Sequence, residues 1–491
     1  VQILKNIIIF FFLITAPVLV ISQVRFNNVY DLYGTWDHAT TVIPEADGYF
    51  VAGTTAGNSG WNRKLALMRI DLNGNLLWAK NHSIPSASLY DNYDAFIKTC
   101  DSNYVYAGSV NNGVTTQDVV IIKFNQNGDT LWQKTFGDTT FDWWGNQCKE
   151  TLDKGFIIAG SAHVSSSNSD CLLIKTDSAG NLQWKKTINN TQERAFSVLA
   201  LPDYKYLVGG TRVVGSYNQA WLAKTDSIGN LLWQRTISGS YGSAILNLDM
   251  TNDNKYVACG YMCNSFDGSF ETSKAWIIKI DSAGNVVWQK QYGNEGVVTG
   301  FLSVDQSSDG SFLASGTNGY GVMQNYEINA FVLKMNSTGD SLLGREINKY
   351  GGPGSVDSFK SIKSTSDGGF ITAGDFDPNN QDMWVVKFDS LGCDNLPCAM
   401  NINEYDFHDV ISISPNPASE TISIKVLLPL TVDNPSVNLV DYTGRILKIL
   451  AIDLKSSEIF FPLEGIPSGL YFVTISDNQH IIQSKKVIIS K

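Results

Sequence analysis

The chain has 491 residues, 43% of them hydrophobic and only 17% charged, with 42 glycines, 12 tryptophans and 13 prolines. That is enough apolar chain for a large core, and few charges with many glycines and aromatics suit an all-β fold of tight turns. The formal net charge of −11 sets the surface against phosphate backbones, which argues against a nucleic-acid partner, and no basic run supports membrane-surface binding.

Residues 1–22 read as an export signal. Lys5 supplies a positive start, Ile7 to Val20 form an apolar stretch broken only by Thr15 and Pro17, and Ser22 offers a small residue before a cut ahead of Gln23. The stretch is short for a membrane span. No later apolar run approaches spanning length, so the mature chain is expected to carry no transmembrane segment.

From residue 23 to residue 398 the chain repeats itself with a period of about fifty residues. One half of the repeat reads Asp, two variable residues, an aromatic, small or apolar residues, then Gly: DGYFVAG (47–53), DSNYVYAG (101–108), DKGFIIAG (153–160), DYKYLVGG (203–210), DNKYVACG (253–260), DGSFLASG (309–316) and DGGFITAG (367–374). The other half is an apolar run, a basic residue, a polar turn with Gly, and Trp, as in LALMRIDLNGNLLWAK (65–80) and AWIIKIDSAGNVVWQK (275–290). The anchors Trp78, Trp132, Trp184, Trp233 and Trp288 stand 49 to 55 residues apart. Each unit predicts four short antiparallel strands, here named a to d. Strand a ends at the turn Asp, strand b at the recurring Gly, strand c at the run of basic residue, any residue and Asp, and strand d carries the Trp. Seven such units predict a seven-bladed β-propeller of four-stranded blades.

The seventh unit stops at its turn, where GCDNLPC stands in place of strand d. Residues 23–30 resemble a strand d with Phe26 at the Trp position, so the N-terminal strand is expected to complete blade 7 and close the ring, which removes exposed strand edges. In blade 6, Leu343 replaces Trp, which predicts looser packing there or contact with a partner. Of seven cysteines, Cys393 and Cys398 form the best candidate disulfide, and Cys259 with Cys263 the next.

Residues 399–410 read as a linker. Residues 411–491 alternate apolar and polar positions between Gly, Pro and Asn turns, which predicts a small immunoglobulin-like β-sandwich of six or seven strands. Four motifs occur there in order: Pro415-Asn416-Pro417 after Ser414, Asp441 with Gly444 and Arg445, Gly469 with Tyr471, and Lys485-Lys486. In these residues the segment resembles the type A sorting domain of the type IX secretion system of Bacteroidota. The resemblance implies export to the periplasm, passage across the outer membrane through the type IX machinery as partner, and a secreted or cell-surface protein. The preceding propeller is similar to uncharacterised repeat propellers of such surface proteins, a resemblance that carries no defined activity. Arg445, Lys485 and Lys486 are candidate contacts to the machinery, although surface and turn roles explain them as well.

No catalytic set emerges. The five histidines lack metal-ligand spacing, no cofactor motif is present, and DLNGN at 71–75 fits a hairpin turn better than a calcium loop. The basic residue of strand c recurs as Arg69, Lys123, Lys175, Lys224, Lys279, Lys334 and Lys387, with Asp or Asn two positions later. An ion pair along each blade explains this better than a ring of cations for an anionic ligand. If a ligand site exists, it is expected on the variable b–c loops, whose aromatics Trp61, Tyr217, Phe266, Tyr320 and Tyr326 suit a glycan or protein ligand. Trp143 and Trp144, with Phe141, form the sharpest exposed-looking aromatic group, with packing at a strand entry as its alternative. The chain is therefore expected to be an exported binding module. A secreted polysaccharide lyase or hydrolase and an envelope scaffold are the competing readings.

Overall fold

In the computed structural model, described for residues 23–34, 36–56, 63–83, 94–111, 116–137, 140–165, 168–188, 192–237, 241–263, 273–293, 298–320, 327–347, 356–376, 382–394, 411–426, 436–441, 445–451, 458–476 and 481–491, the chain is all β. It divides after Ala399 into two compact units. The export signal and the linker lie outside the described residues. Among the described residues no helix is long and apolar enough to cross a membrane.

The first unit holds seven four-stranded antiparallel sheets. Blade 1, for example, comprises Trp36–Glu45, Gly48–Ala56, Lys64–Asp71 and Leu76–His82 as strands a to d. Blades 2 to 6 repeat this order, and blade 7 takes strands a to c from Ser358–Ser364, Phe370–Phe376 and Asp382–Phe388. Its fourth strand is Phe26–Tyr30, antiparallel to Asp382–Phe388 with Phe26 opposite Lys387. The expected closure by the N-terminal strand is therefore present.

Apolar side chains pack between blades. Seven clusters each join two neighbours, from Phe50 and Leu67 against Phe96 and Phe124, round to Ile371, Val385 and Phe26 against Val42 and Met68. No blade buries its own faces, so the ring is the unit of stability. Strand b is buried along its whole length in blade 1, whereas the rim strand of blade 2 is exposed or half-buried throughout.

At the rim, each strand-d anchor rests on the next blade's c–d turn. That turn needs Gly on two counts: φ is +75° at Gly128 and +86° at Gly284, and a Cβ there would meet the ring of Trp78 or of Trp233. Trp132, Trp184 and Trp288 take the same place over Gly180, Gly229 and Gly339. Phe26 does so over Gly74, and Leu343 over Gly392. The Leu343 exception in blade 6 thus keeps the contact with a smaller side chain, and Arg345 adds an ion pair to Asp394 of the next turn at 2.9 Å.

Three expectations need correction. The repeat Gly of strand b does not end the strand. Gly53, Gly160, Gly210, Gly260, Gly316 and Gly374 lie inside it, opposite a β-bulge of strand a, where a Cβ would strike the carbonyl of His38, Trp144, Arg194, Ala244, Gly300 or Ser358. The strand-c cation pairs not with the residue two positions on but with the a–b turn Asp: Lys123 with Asp101 at 2.6 Å, Lys175 with Asp153 at 2.8 Å, Lys387 with Asp367 at 2.9 Å. The residue two positions on is busy with the c–d turn, where Asp281 Oδ1 accepts the N–H groups of Ala283 and Asn285. Cys259 and Cys263 are not a disulfide. They stand four residues apart on one extended strand, about 13 Å, beyond disulfide reach. Cys393 is disulfide-bonded, and its expected partner Cys398 lies outside the described residues.

The second unit is a small β-sandwich. A three-stranded sheet (Ile411–Ser414, Thr421–Val426, Glu458–Pro462) faces a four-stranded one (Ile446–Ala451, Ser436–Asp441, Gly469–Ser476, Ile481–Ile489). Ile422, Ile424, Val437, Leu439, Phe461, Val473 and Val487 fill the space between them.

Candidate functional site

Antiparallel order puts the a–b and c–d turns of every blade on one face and the b–c loops on the other. On the loop face, Trp61, Phe266 and Tyr326 lie outside the described residues. Tyr320 ends strand b of blade 6, paired with Glu327. Tyr217 is half-buried and meets Tyr241 edge-on at 6.0 Å. Trp143 is not an exposed contact: it is 8% exposed, joins the blade 2–blade 3 core, and is covered by the Lys185 ammonium 4.3 Å from its ring. Trp144 alternates to the other side of the strand and is half-buried. Trp36, which the sequence reading passed over, is among the most exposed large aromatics at 45%.

The axis carries a different chemistry. Strand a of blades 1 and 3 to 7 has a bulge near its middle, and in blades 3, 4, 6 and 7 the residue after the bulge turns a polar group across to the neighbouring blade. Gln147 Oε1 accepts the Val198 N–H at 3.0 Å, Ser197 Oγ the Leu248 N–H at 3.0 Å, Ser303 Oγ the Ile362 N–H at 3.3 Å, and Ser361 Oγ the Val42 N–H at 3.2 Å. Asp94 of blade 2 completes this belt. It is 5% exposed, and its carboxylate accepts from Asn247 Nδ2 at 3.3 Å, Ser303 Oγ at 3.0 Å, Ser361 Oγ at 2.7 Å and Lys363 Nζ at 3.1 Å. Burial opposes its charge, yet Lys363 and the Ser361 hydroxyl hold the carboxyl below its ordinary value.

Toward the turn face the belt opens into a cavity of about 440 Å³. Its wall is set by one repeat position, four residues before each a–b turn Asp, occupied in blade order by Ile43, Ile97, Lys149, Leu199, Asp249, Asp305 and Lys363. All but Asp305 line the cavity, with Asp94 at its floor. Burial alone would lower the Lys363 ammonium, but Asp94, Asp305 and Asp249 raise it. Asp305 accepts the Ser364 N–H at 2.8 Å. Burial pushes the Asp249 carboxyl up, and Lys149 and Lys363 only partly offset this. The sole hydrogen bond to Asp249 among the described residues comes from the Met250 N–H at 2.8 Å, and Lys149 has no hydrogen-bond or ion-pair partner among them. The wall thus offers one cation and one carboxyl with spare capacity, set in apolar surroundings.

The sorting motifs of the second unit hold that fold together at one edge. Pro415, Asn416 and Pro417 are exposed, and both X–Pro bonds of the motif are cis. Asn416 Nδ2 donates to the Lys486 carbonyl at 3.1 Å and its Oδ1 accepts the Ile488 N–H at 2.9 Å, which pins the last strand. Arg445 Nε donates to Asp441 at 3.1 Å across the turn while its side chain stays 75% exposed. Gly444 lies outside the described residues. Tyr471 donates to the Pro467 carbonyl at 3.0 Å, and Gly469 leaves room for its ring. Lys485 is half-buried and Lys486 exposed.

No curated protein matches the chain. Among solved structures it is similar to PorZ, an essential surface component of the type IX secretion system of Porphyromonas gingivalis, at 11% identity over 91% of this chain and 69% of that one with a TM-score of 0.29. Sqt1 of Chaetomium thermophilum (10% identity, 75% and 98%, TM-score 0.42) and a protein of unknown function from Dyadobacter fermentans (12%, 74% and 98%, 0.41) are further examples. Residues 412–490 match the family described as secretion system C-terminal sorting domain. That match covers the C-terminal unit alone and marks it as a secretion-system C-terminal sorting domain of the type IX kind.

Proposed function

We propose that the exported propeller, mature from Gln23, is a binding module for a glycan or protein ligand, and that a charged group of the ligand enters the axial mouth. The observation that carries this reading is the break in the repeat at the mouth. Three of the seven equivalent positions hold Ile or Leu, and four hold Lys149, Asp249, Asp305 and Lys363. A half-buried carboxyl such as Asp249 weakens a fold unless it is used. A glycan array and a peptide pull-down on the purified protein test the proposal. The expected result is a specific hit that weakens at least tenfold in Lys149→Ala or Asp249→Asn. A folded protein with no hit in either screen contradicts it.

A second reading, a secreted polysaccharide-active enzyme, draws on one observation at the same place. Asp249, raised by burial and set beside a lysine, has the environment of a general acid. Product release from the bound polysaccharide, lost in Asp249→Asn while binding persists, would favour it. The sorting domain supports delivery to the cell surface or medium in either case, with Arg445 and Lys486 as exposed contacts for the machinery.

A further inference from the structure

Three carboxylates meet where the ring closes. Asp31 lies between the closing strand and blade 1, Asp37 is the second residue of strand a in blade 1, and Asp382 opens strand c of blade 7. One carboxylate oxygen from each lies within 4.8 Å of the other two. Asp37 is wholly buried. Its Oδ2 accepts the Leu32 N–H at 2.8 Å and the carboxylate is also served by the Thr55 hydroxyl and the Tyr33 N–H, yet its Oδ1 is buried with no hydrogen-bond partner among the described residues. A buried, unsatisfied carboxylate oxygen beside two further carboxyls is costly unless a cation or a proton neutralises it.

We infer that Asp31, Asp37 and Asp382 bind a divalent cation, Ca²⁺ in first place, which fastens the seam between blades 7 and 1. The donors are all hard carboxylate oxygens. Ca²⁺ accepts several protein carboxylates in a flexible geometry, whereas Mg²⁺ demands a near-ideal octahedron and gives up its waters reluctantly. Asp31 is exposed, so the ion has a path from solvent and water can fill its remaining coordination positions. The cation joins the chain near its mature start to a strand some 350 residues later. It would thus act where the closing strand is held by neighbouring strands and not by chain connectivity. Sequence spacing offers no hint of the site, because its ligands come from both ends of the propeller.

The test uses the full-length protein freed of metal with EDTA. Calcium chloride is titrated calorimetrically, and thermal unfolding is followed with and without millimolar Ca²⁺. The inference expects saturable binding of one ion, a Tm several degrees higher with Ca²⁺, and a weaker response to Mg²⁺. Asp31→Asn, at an exposed position that keeps an acceptor for the Gly34 N–H, should weaken Ca²⁺ binding at least tenfold while leaving the metal-free Tm nearly unchanged. Asp37→Asn should abolish the response. No Ca²⁺-dependent change in Tm overturns the inference, because a proton then satisfies Asp37. A response that survives in both variants overturns it too, because the ion then binds elsewhere.

Discussion

The rim and the axis of the propeller follow opposite rules. At the rim one contact, a strand-d side chain over the next blade's turn glycine, recurs in all seven blades with little variation. At the axis one repeat position changes from Ile to Lys to Asp around the ring, and one side chain, Asp94, ties three distant blades together. Where every blade must meet its neighbour in the same way, the repeat is kept. Where the blades converge on one space, their differences give that space its chemistry.

The largest effect is expected at the axial hub. Asp94→Ala strips partners from Asn247, Ser303, Ser361 and Lys363 at once, and breaking such a buried charge network costs about 3–5 kcal/mol. Denaturant unfolding should show it as a large fall in midpoint. A loss no greater than that of a rim variant would mean that the axis is solvated and the hub only decorative. Next comes Trp233→Ala, expected to cost about 2 kcal/mol, less than for a fully buried tryptophan because one edge is solvated. Leu343→Ala should cost about 1 kcal/mol on the same assay, and equal losses at both sites would contradict the graded rim.

Acid sharpens the contrast further. The Asp94 carboxyl is held below its ordinary value in the fold, so its contribution is fully present above the unfolded carboxylate pKa of about 4 and is lost as pH falls through the folded value. Asp249 is raised, so its ionised form weakens the fold above about pH 4 and protonation relieves this. Asp94→Asn should therefore flatten the acid limb of the stability profile. Asp249→Asn should raise stability at neutral pH by up to about 1 kcal/mol, a gain that vanishes in acid. A stability loss at neutral pH in Asp249→Asn would show that this carboxyl serves the fold.

The legibility of the sequence divides along the same line. The turn Asp, the turn Gly and the Trp act within a few residues of one another or on the adjacent blade, so the repeat displays them directly, and Phe26 could be placed by likeness to strand d. The bulge behind Gly53 and Gly160 was hidden because a strand-b glycine says only that something comes close. Asp94 stands outside the repeat motifs, and its partners lie 153 to 269 residues away. Asp249 and Lys149 could have been found by stacking the seven repeats and asking which apolar position turns charged. The loop aromatics misled in part because a Trp at a strand entry reads alike whether it faces solvent or, as Trp143 does, the core.

The most direct test compares the two faces with one ligand. With the best hit from the glycan or peptide screen, affinity is measured for the wild type, for a Lys149→Ala/Asp249→Asn double variant and for a Trp144→Ala/Tyr217→Ala double variant. The axial account expects the first double variant to lose binding by two orders of magnitude and the second to keep it within a few-fold. Loss confined to the Trp144/Tyr217 variant would place the ligand on the loop face and contradict the account.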